Sequence, residues 1–290
     1  MTGERREIVI PARPWFHDHC FGGRIVLAAV EAMQLLAATV QAVHPHLEVN
    51  GMRDGRFAKL LVIPPEATAI DALVELEPVE RGGVHARLLT RTHGKVMTRL
   101  VSHCELTFVA DAIADTEGEK WTAEPCSAAT MVVSVARVYQ ELVPFGPAYR
   151  TLQDRLVLSA DAAWGTLLAP ELSPVPAGPL GSAFSLDGAM HAACVHGQRL
   201  VDFVPFPVGF AVRCIVKPTR AGERYHVRLR LQSYTLDELL YDLCIVDEQE
   251  QVRETIRGLR MRDVSQGRIK PPAWIKAIPT GGNTMAEVQP

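Results

Sequence analysis

Two stretches of the chain carry side chains able to move protons. The first is Phe16-His17-Asp18-His19-Cys20-Phe21-Gly22-Gly23-Arg24, followed at once by the apolar run Ile25 to Val43. A histidine just ahead of two glycines that open a run of helix formers predicts an imidazole at the mouth of a buried helix. Backbone N–H groups and the positive end of the helix dipole gather at such a mouth and favour an anion or a polarised carbonyl. Imidazole titrates in the range that proton abstraction near neutral pH requires. Of the two histidines, His19 is preferred over His17 because it stands four residues before Gly23, in register with the expected helix start. The second stretch is Ser185-Leu186-Asp187-Gly188-Ala189-Met190-His191. Asp187 and His191 are four apart and share one face of a helix. One reading is a first-turn acid in an ordinary i,i+4 pair. The other is a general acid, since carboxyls among apolar neighbours such as Phe184, Leu186, Ala189 and Met190 hold their proton more readily.

The elements that must position these groups are read from periodicity and turn residues. A long helix is expected over Ile25 to Val43, followed by strands at Phe57 to Ile63, Ile70 to Leu76, Val84 to Thr92 and Lys95 to Val109. Pro64-Pro65, Arg81-Gly82-Gly83 and His93-Gly94 separate the strands. The acidic, aperiodic Asp111 to Ser127 reads as a linker, which sets units at 1–112 and 131–265 with a connection over 113–130. The second unit repeats the order: a lead-in over Val133 to Tyr149, two short strands, and a Pro/Gly-rich loop from Leu172 to Gly181. A helix over Ser185 to Val195 follows, with Ser185 as a possible N-cap and His196-Gly197 closing it. Strands return at Val208 to Lys217, Tyr225 to Gln232, Glu238 to Val246 and Gln251 to Val264, and residues 266–290 lose pattern as a partly ordered tail. Each half thus offers one core helix and an antiparallel sheet.

Composition narrows the class. The 290 residues are 48% hydrophobic and 22% charged, with a net charge of −3, which speaks for a globular protein and against nucleic acid as the main partner. Six scattered cysteines, with no paired CxxC spacing, read as reduced core residues. Met1 to Arg6 is polar and resembles no targeting segment, and Glu31 and Arg24 interrupt the one run near membrane-spanning length. The expected setting is cytoplasmic, without a membrane span. His17-x-His19 and His44-Pro45-His46 have metal-like spacing but no third ligand nearby, so no metal is expected.

The motifs together resemble the dehydratase domains of modular polyketide synthases. The HxxxGxxxxP signature of that family reads here from His19 through Gly23 to Ala28, with alanine in place of proline. Phe145-Gly146-Pro147-Ala148-Tyr149 is similar to its GYGPxF motif with the aromatic identities altered. Asp187 to His191 matches DxxxQ/H, and Val204-Pro205-Phe206-Pro207-Val208-Gly209 is similar to LPFxxxG. Ser182 and Ala183 stand where many relatives carry His-Pro. The resemblance covers roughly residues 8 to 265. It implies an α+β double hotdog, two tandem antiparallel sheets each wrapped round a central helix, with His19 and Asp187 as catalytic dyad. It further implies Gly23 and His191 as substrate-binding or orienting residues, alongside Phe145, Gly146, Pro147 and Tyr149. The implied reaction is loss of water from a β-hydroxyacyl thioester. No cofactor is implied beyond the phosphopantetheine arm of an acyl carrier protein, which with the synthase modules and a second copy in a homodimer makes up the implied partners. A double-bond isomerase, a cyclic-ether-forming cyclase and a non-catalytic acyl-carrier-binding double hotdog are the alternatives on the same fold. The arginine-rich Arg257-Gly258-Leu259-Arg260-Met261-Arg262 reads as a strand with a charged face, with an acidic carrier as its other reading.

Overall fold

The computed structural model describes residues 3–93, 98–110, 130–172 and 178–276. The proposed linker therefore lies, apart from Thr130, outside the described residues, as do 173–177 of the Pro/Gly-rich loop and 277–290 of the tail. The first unit contains β1 (Glu4–Pro11), β2 (Cys20–Phe21), β3 (Arg24–Val26), α1 (Ala29–Val43), β4 (Gly51–Arg56), β5 (Val62–Ile63), β6 (Ala69–Pro78), β7 (Val84–His93) and β8 (Thr98–Phe108). The second opens with β9 (Met131–Ser134) and α2 (Val135–Arg137), which runs into a π-turn over Val138–Leu142. It continues with β10 (Leu152–Leu158), β11 (Ala162–Leu168), α3 (Ala183–Gln198), β12 (Phe206–Ile215), β13 (Arg224–Tyr234), β14 (Glu238–Asp247) and β15 (Val252–Arg262).

Twelve strands form one sheet in the order β1-β6-β7-β8-β4-β12-β15-β14-β13-β11-β10-β9. The two units meet where β4 pairs antiparallel with β12, Gly209 opposite Arg56 and Cys214 opposite Gly51. Helix α1 lies on β6, β7 and β8, α3 lies on β10 to β14, and the two helices touch each other. One helix held by each half of a continuous antiparallel sheet is a double hotdog. Helix α1 buries Val30, Met33, Leu36, Ala37 and Val40, the i, i+3, i+4 stripe of an amphipathic helix. Helix α3 is different: every residue from Phe184 to Gln198 is buried. At the junction of the units the fully buried Arg213 donates from Nε to Glu254 Oε1 at 2.7 Å, and its Nη1 faces the sulfurs of Met33 and Met52. Among the described residues no helix is long and apolar enough to cross a membrane.

Several local expectations are corrected. The first helix begins at Ala29, not Ile25. Gly22 and Gly23 adopt φ of +55° and +75° and turn the chain back as a hairpin, with Cys20 opposite Ile25 and Phe21 opposite Arg24. Two positive-φ residues make the tight turn that suits strand twist, and β-branched Ile25 and Val26 fit the strand that follows. The strand expected at Phe57 to Ile63 is instead β4, in the glycine-rich Gly51–Arg56, with only Val62–Ile63 retained as β5. Tertiary pairing overrides poor strand propensity there: a Cβ at Gly55 would sit 2.3 Å from the Phe210 ring. Gly197 does not close the second helix, which runs to Gln198; a Cβ there would meet Pro205 Cγ at 2.8 Å. Ser185 lies inside α3, buried, while the extended backbone that caps the helix belongs to Ser182.

Candidate active site

His19 follows a single 3-10 turn, Pro14–Asp18, and its backbone bridges that turn to β3: its N–H donates to Phe16 O at 3.1 Å and its carbonyl accepts from Val26 N–H at 3.0 Å. The imidazole Nδ1 lies 2.8 Å from the Val26 carbonyl. A carbonyl only accepts, so Nδ1 carries the proton and neutral His19 keeps a free lone pair on Nε2. Desolvation lowers the His19 pKa below the usual 6.5, opposed by the nearby Asp187 charge and the Val26 hydrogen bond. The ring stacks between Phe145, centroids 4.4 Å apart, and Tyr149 at 4.9 Å.

Asp187 and His191 lie in α3 at 6% and 4% exposure. Asp187 Oδ2 and His191 Nε2 are 2.9 Å apart. The approach is off the angle of a directed hydrogen bond, and neither atom has another partner. Distance places the two groups together, so only a small ring rotation separates contact from bond. Gly188, one residue on, lets α3 close onto the chain beneath it: a Cβ there would sit 2.0 Å from Thr151 Oγ1.

The Phe145–Tyr149 segment docks the second unit onto the first. Gly146 N–H donates to the Asp18 carbonyl at 2.7 Å and Ala148 N–H to Asp18 Oδ2 at 2.9 Å. A Cβ at Gly146 would lie 2.2 Å from Asp18 Oδ1, and Pro147 opens the 3-10 turn Pro147–Tyr149. Tyr149 is fully buried with an unpartnered hydroxyl, and burial raises its pKa well above 10. Asp18 thus sets the aromatic wall around its neighbour His19. Its position beside His19 was the only sequence signal, and spacing alone does not show that its carboxylate reaches the second unit.

A cavity of about 410 Å³ collects His19, Phe145, Asp187 and His191, with buried Leu88, Met190 and Cys194 at its walls and exposed Arg24 and Lys59 on its rim. Gly146, Pro147 and Tyr149 stand behind the lining. Gly23 departs from expectation: it sits at the hairpin tip rather than at a helix start, and it does not border the cavity. The helix mouth lies further on, at the extended N-cap Ala28 and at Ala29, which does border the cavity. Leu27 N–H is spent on Leu61 O, and Glu31 and Ala32 N–H on Ala28 O, so the free donors of the first turn are those of Ala28 to Val30. Tyr139 was also missed; its hydroxyl reaches His191 from the π-turn. His17 is exposed, and among the described residues no three His, Cys, Asp or Glu side chains gather as a metal site.

A histidine from the loop ahead of β2 and a carboxyl from α3, brought to one cavity between two hotdog units, are the arrangement of a double hotdog enzyme. The sequence pattern of the polyketide synthase dehydratase N-terminal domain matches residues 117–269, just over half of the chain. The chain belongs to the polyketide synthase dehydratase family, and is a dehydratase of polyketide biosynthesis. Among curated proteins no sequence matches it. Solved structures of the same fold include a trans-AT polyketide synthase dehydratase domain from Brevibacillus brevis, with TM-score 0.72 and 16% identity over 91% of this chain and 94% of that one. The bifunctional dehydratase-cyclase domain of ambruticin biosynthesis aligns with TM-score 0.68 and 20% identity over 90% and 91%. A dehydratase domain from the CurF module of curacin polyketide synthase aligns at 0.70 and 16% over 90% and 93%.

Proposed function

We propose that this dehydratase removes the α-proton of a β-hydroxyacyl thioester with His19 and protonates the departing hydroxyl with Asp187. The observation that carries the assignment is the single cavity in which His19, with its Nδ1 proton committed to Val26, meets the Asp187 carboxyl. His19 Nε2 takes the proton from the α-carbon; the electron pair forms the C=C bond as the β C–O bond breaks; Asp187 donates its proton and water leaves. Proton return from His19 to Asp187 resets the pair. The reactive arrangement has both groups neutral, and an apolar, buried cavity disfavours the charge-separated alternative. Charge building on the thioester oxygen meets the N–H of Ala29, which borders the cavity at the α1 start.

The substrate arrives on the phosphopantetheine arm of an acyl carrier protein within the synthase, and the enzyme works as a homodimer in the cytoplasm. The test is incubation with a β-hydroxyacyl carrier protein and intact-mass measurement. Loss of one water that disappears in His19→Ala is the expected result, and unchanged turnover in that variant overturns the assignment. NMR of the released acyl chain separates the α,β-unsaturated product from a shifted alkene or a cyclic ether of equal mass.

A further inference from the structure

We propose that Tyr139 is a positioning residue that fixes the tautomer of His191, and thereby keeps the reactive proton of Asp187 on the oxygen facing the substrate. The inference rests on Asp187 being the general acid. Tyr139 is 4% exposed and sits in the π-turn Val138–Leu142, an irregularity that recurs at functional sites. Its oxygen accepts the Leu152 backbone N–H at 2.9 Å. With the oxygen engaged as acceptor, its own O–H is free to point at His191 Nδ1, 3.4 Å away. Burial raises the pKa of the Tyr139 phenol above its usual range, so the donor proton is kept. The rings meet edge-on, with centroids 5.8 Å apart.

A neutral imidazole has one N–H. If Nδ1 accepts from Tyr139, the proton is on Nε2, the atom 2.9 Å from Asp187 Oδ2. Oδ2 then accepts, and the acid proton belongs on Oδ1. The opposite tautomer would point an Nε2 lone pair at Oδ2 and draw the acid proton into an Oδ2–H···Nε2 bond, away from the leaving hydroxyl. Tyr139 is itself held from outside: the Arg137 guanidinium stacks 3.6 Å from the Trp274 ring centroid, and Trp274 Nε1 donates to Glu141 Oε2 at 2.6 Å. The segment after β15 thus clamps the turn that carries the hydroxyl.

Glutamine at 191 would present an amide N–H to Asp187 with no tautomer to set, which supplies the test. Tyr139→Phe is made in the full chain alone and in a His191→Gln background, and turnover of a β-hydroxyacyl thioester is followed. The expected result is a fall in kcat of about tenfold in the first background, a fraction of the ~10²–10⁴ available from general acid catalysis. KM stays level, and less than about a twofold effect is expected in the second background. Equal losses in both backgrounds would show a purely structural role and overturn the proposal. Should Tyr139→Phe fail to fold, 15N-histidine NMR of the unmodified protein decides directly: an Nε2–H tautomer at His191 supports the proposal and an Nδ1–H tautomer overturns it. That readout needs no turnover, so it stands apart from failure of Asp187 as the acid, which would appear as retained dehydration in Asp187→Asn.

Discussion

Replacing Asp187 with asparagine separates the acid from everything else the residue does. The change is nearly isosteric at a position only 6% exposed, so it opens no cavity, and the amide oxygen still faces His191. What is lost is the proton for the departing hydroxyl. Removal of a general acid lowers kcat by ~10²–10⁴, which is about 3–5 kcal/mol of transition-state stabilisation. A second consequence concerns pH. Desolvation, the largest influence on His19, depresses its pKa. Asparagine is as uncharged as the protonated Asp187 of the reactive arrangement, so that desolvation is left as it was. The acid limb of the residual kcat/KM profile therefore stays in place in Asp187→Asn. The assay is spectrophotometric or mass-based turnover of one β-hydroxyacyl thioester across pH, with thermal unfolding as the control for folding. An acid limb that moves with the substitution would refute the neutral pairing of the two residues, and full activity would refute the acid role.

Gly188→Ala places a methyl 2.0 Å from Thr151 Oγ1 and 2.8 Å from Leu167 Cδ2, so α3 must shift at the residue next to Asp187. Urea unfolding is expected to show a loss of about 1–3 kcal/mol, and kcat to fall with it. At the unit junction, Arg213→Met or Glu254→Gln alone leaves an uncompensated buried charge and costs about 3–5 kcal/mol, whereas the double change recovers much of the loss in the same denaturation series. His196 is fully buried beside the Tyr241 hydroxyl, and desolvation pulls its pKa to about 4 from 6.5. The unfolded chain binds that proton first, so the contribution is intact above pH 6.5 and is lost as pH falls towards 4. Its total is about 3 kcal/mol, and a flatter stability-pH slope for His196→Gln over that window checks it.

Much of the architecture was legible because local periodicity and core burial agree. Alternation located β6, β7, β13, β14 and β15 close to their observed bounds, and the Ser185–Val195 run marked a helix that is buried all round. Legibility stopped where a contact across the chain outweighs local preference. Gly51–Arg56 has little strand propensity, yet it is the strand that joins the two units through β12. The glycine pair after His19 looked like the opening of a helix, because a Gly-Gly before helix formers does not reveal the sign of φ. Both residues are left-handed and make a hairpin instead.

The candidate site divides the same way. The amino-acid types at His19, Asp187 and His191, and the order of motifs around them, are properties of the sequence, since they depend on residue chemistry and on spacing within one helix or one turn. Their convergence is not. It depends on α1 and α3 lying side by side, on Asp18 gripping Gly146 and Ala148, and on Val26 taking the His19 Nδ1 proton. Hydrogen bonds between residues far apart in the chain leave no period for a sequence to display, because each is satisfied only once burial has removed water as the competing partner. For that reason the chain itself singles out the residues proposed as base and acid, while tertiary structure alone decides which imidazole nitrogen is free, where the helix mouth lies, and that Tyr139 stands behind His191.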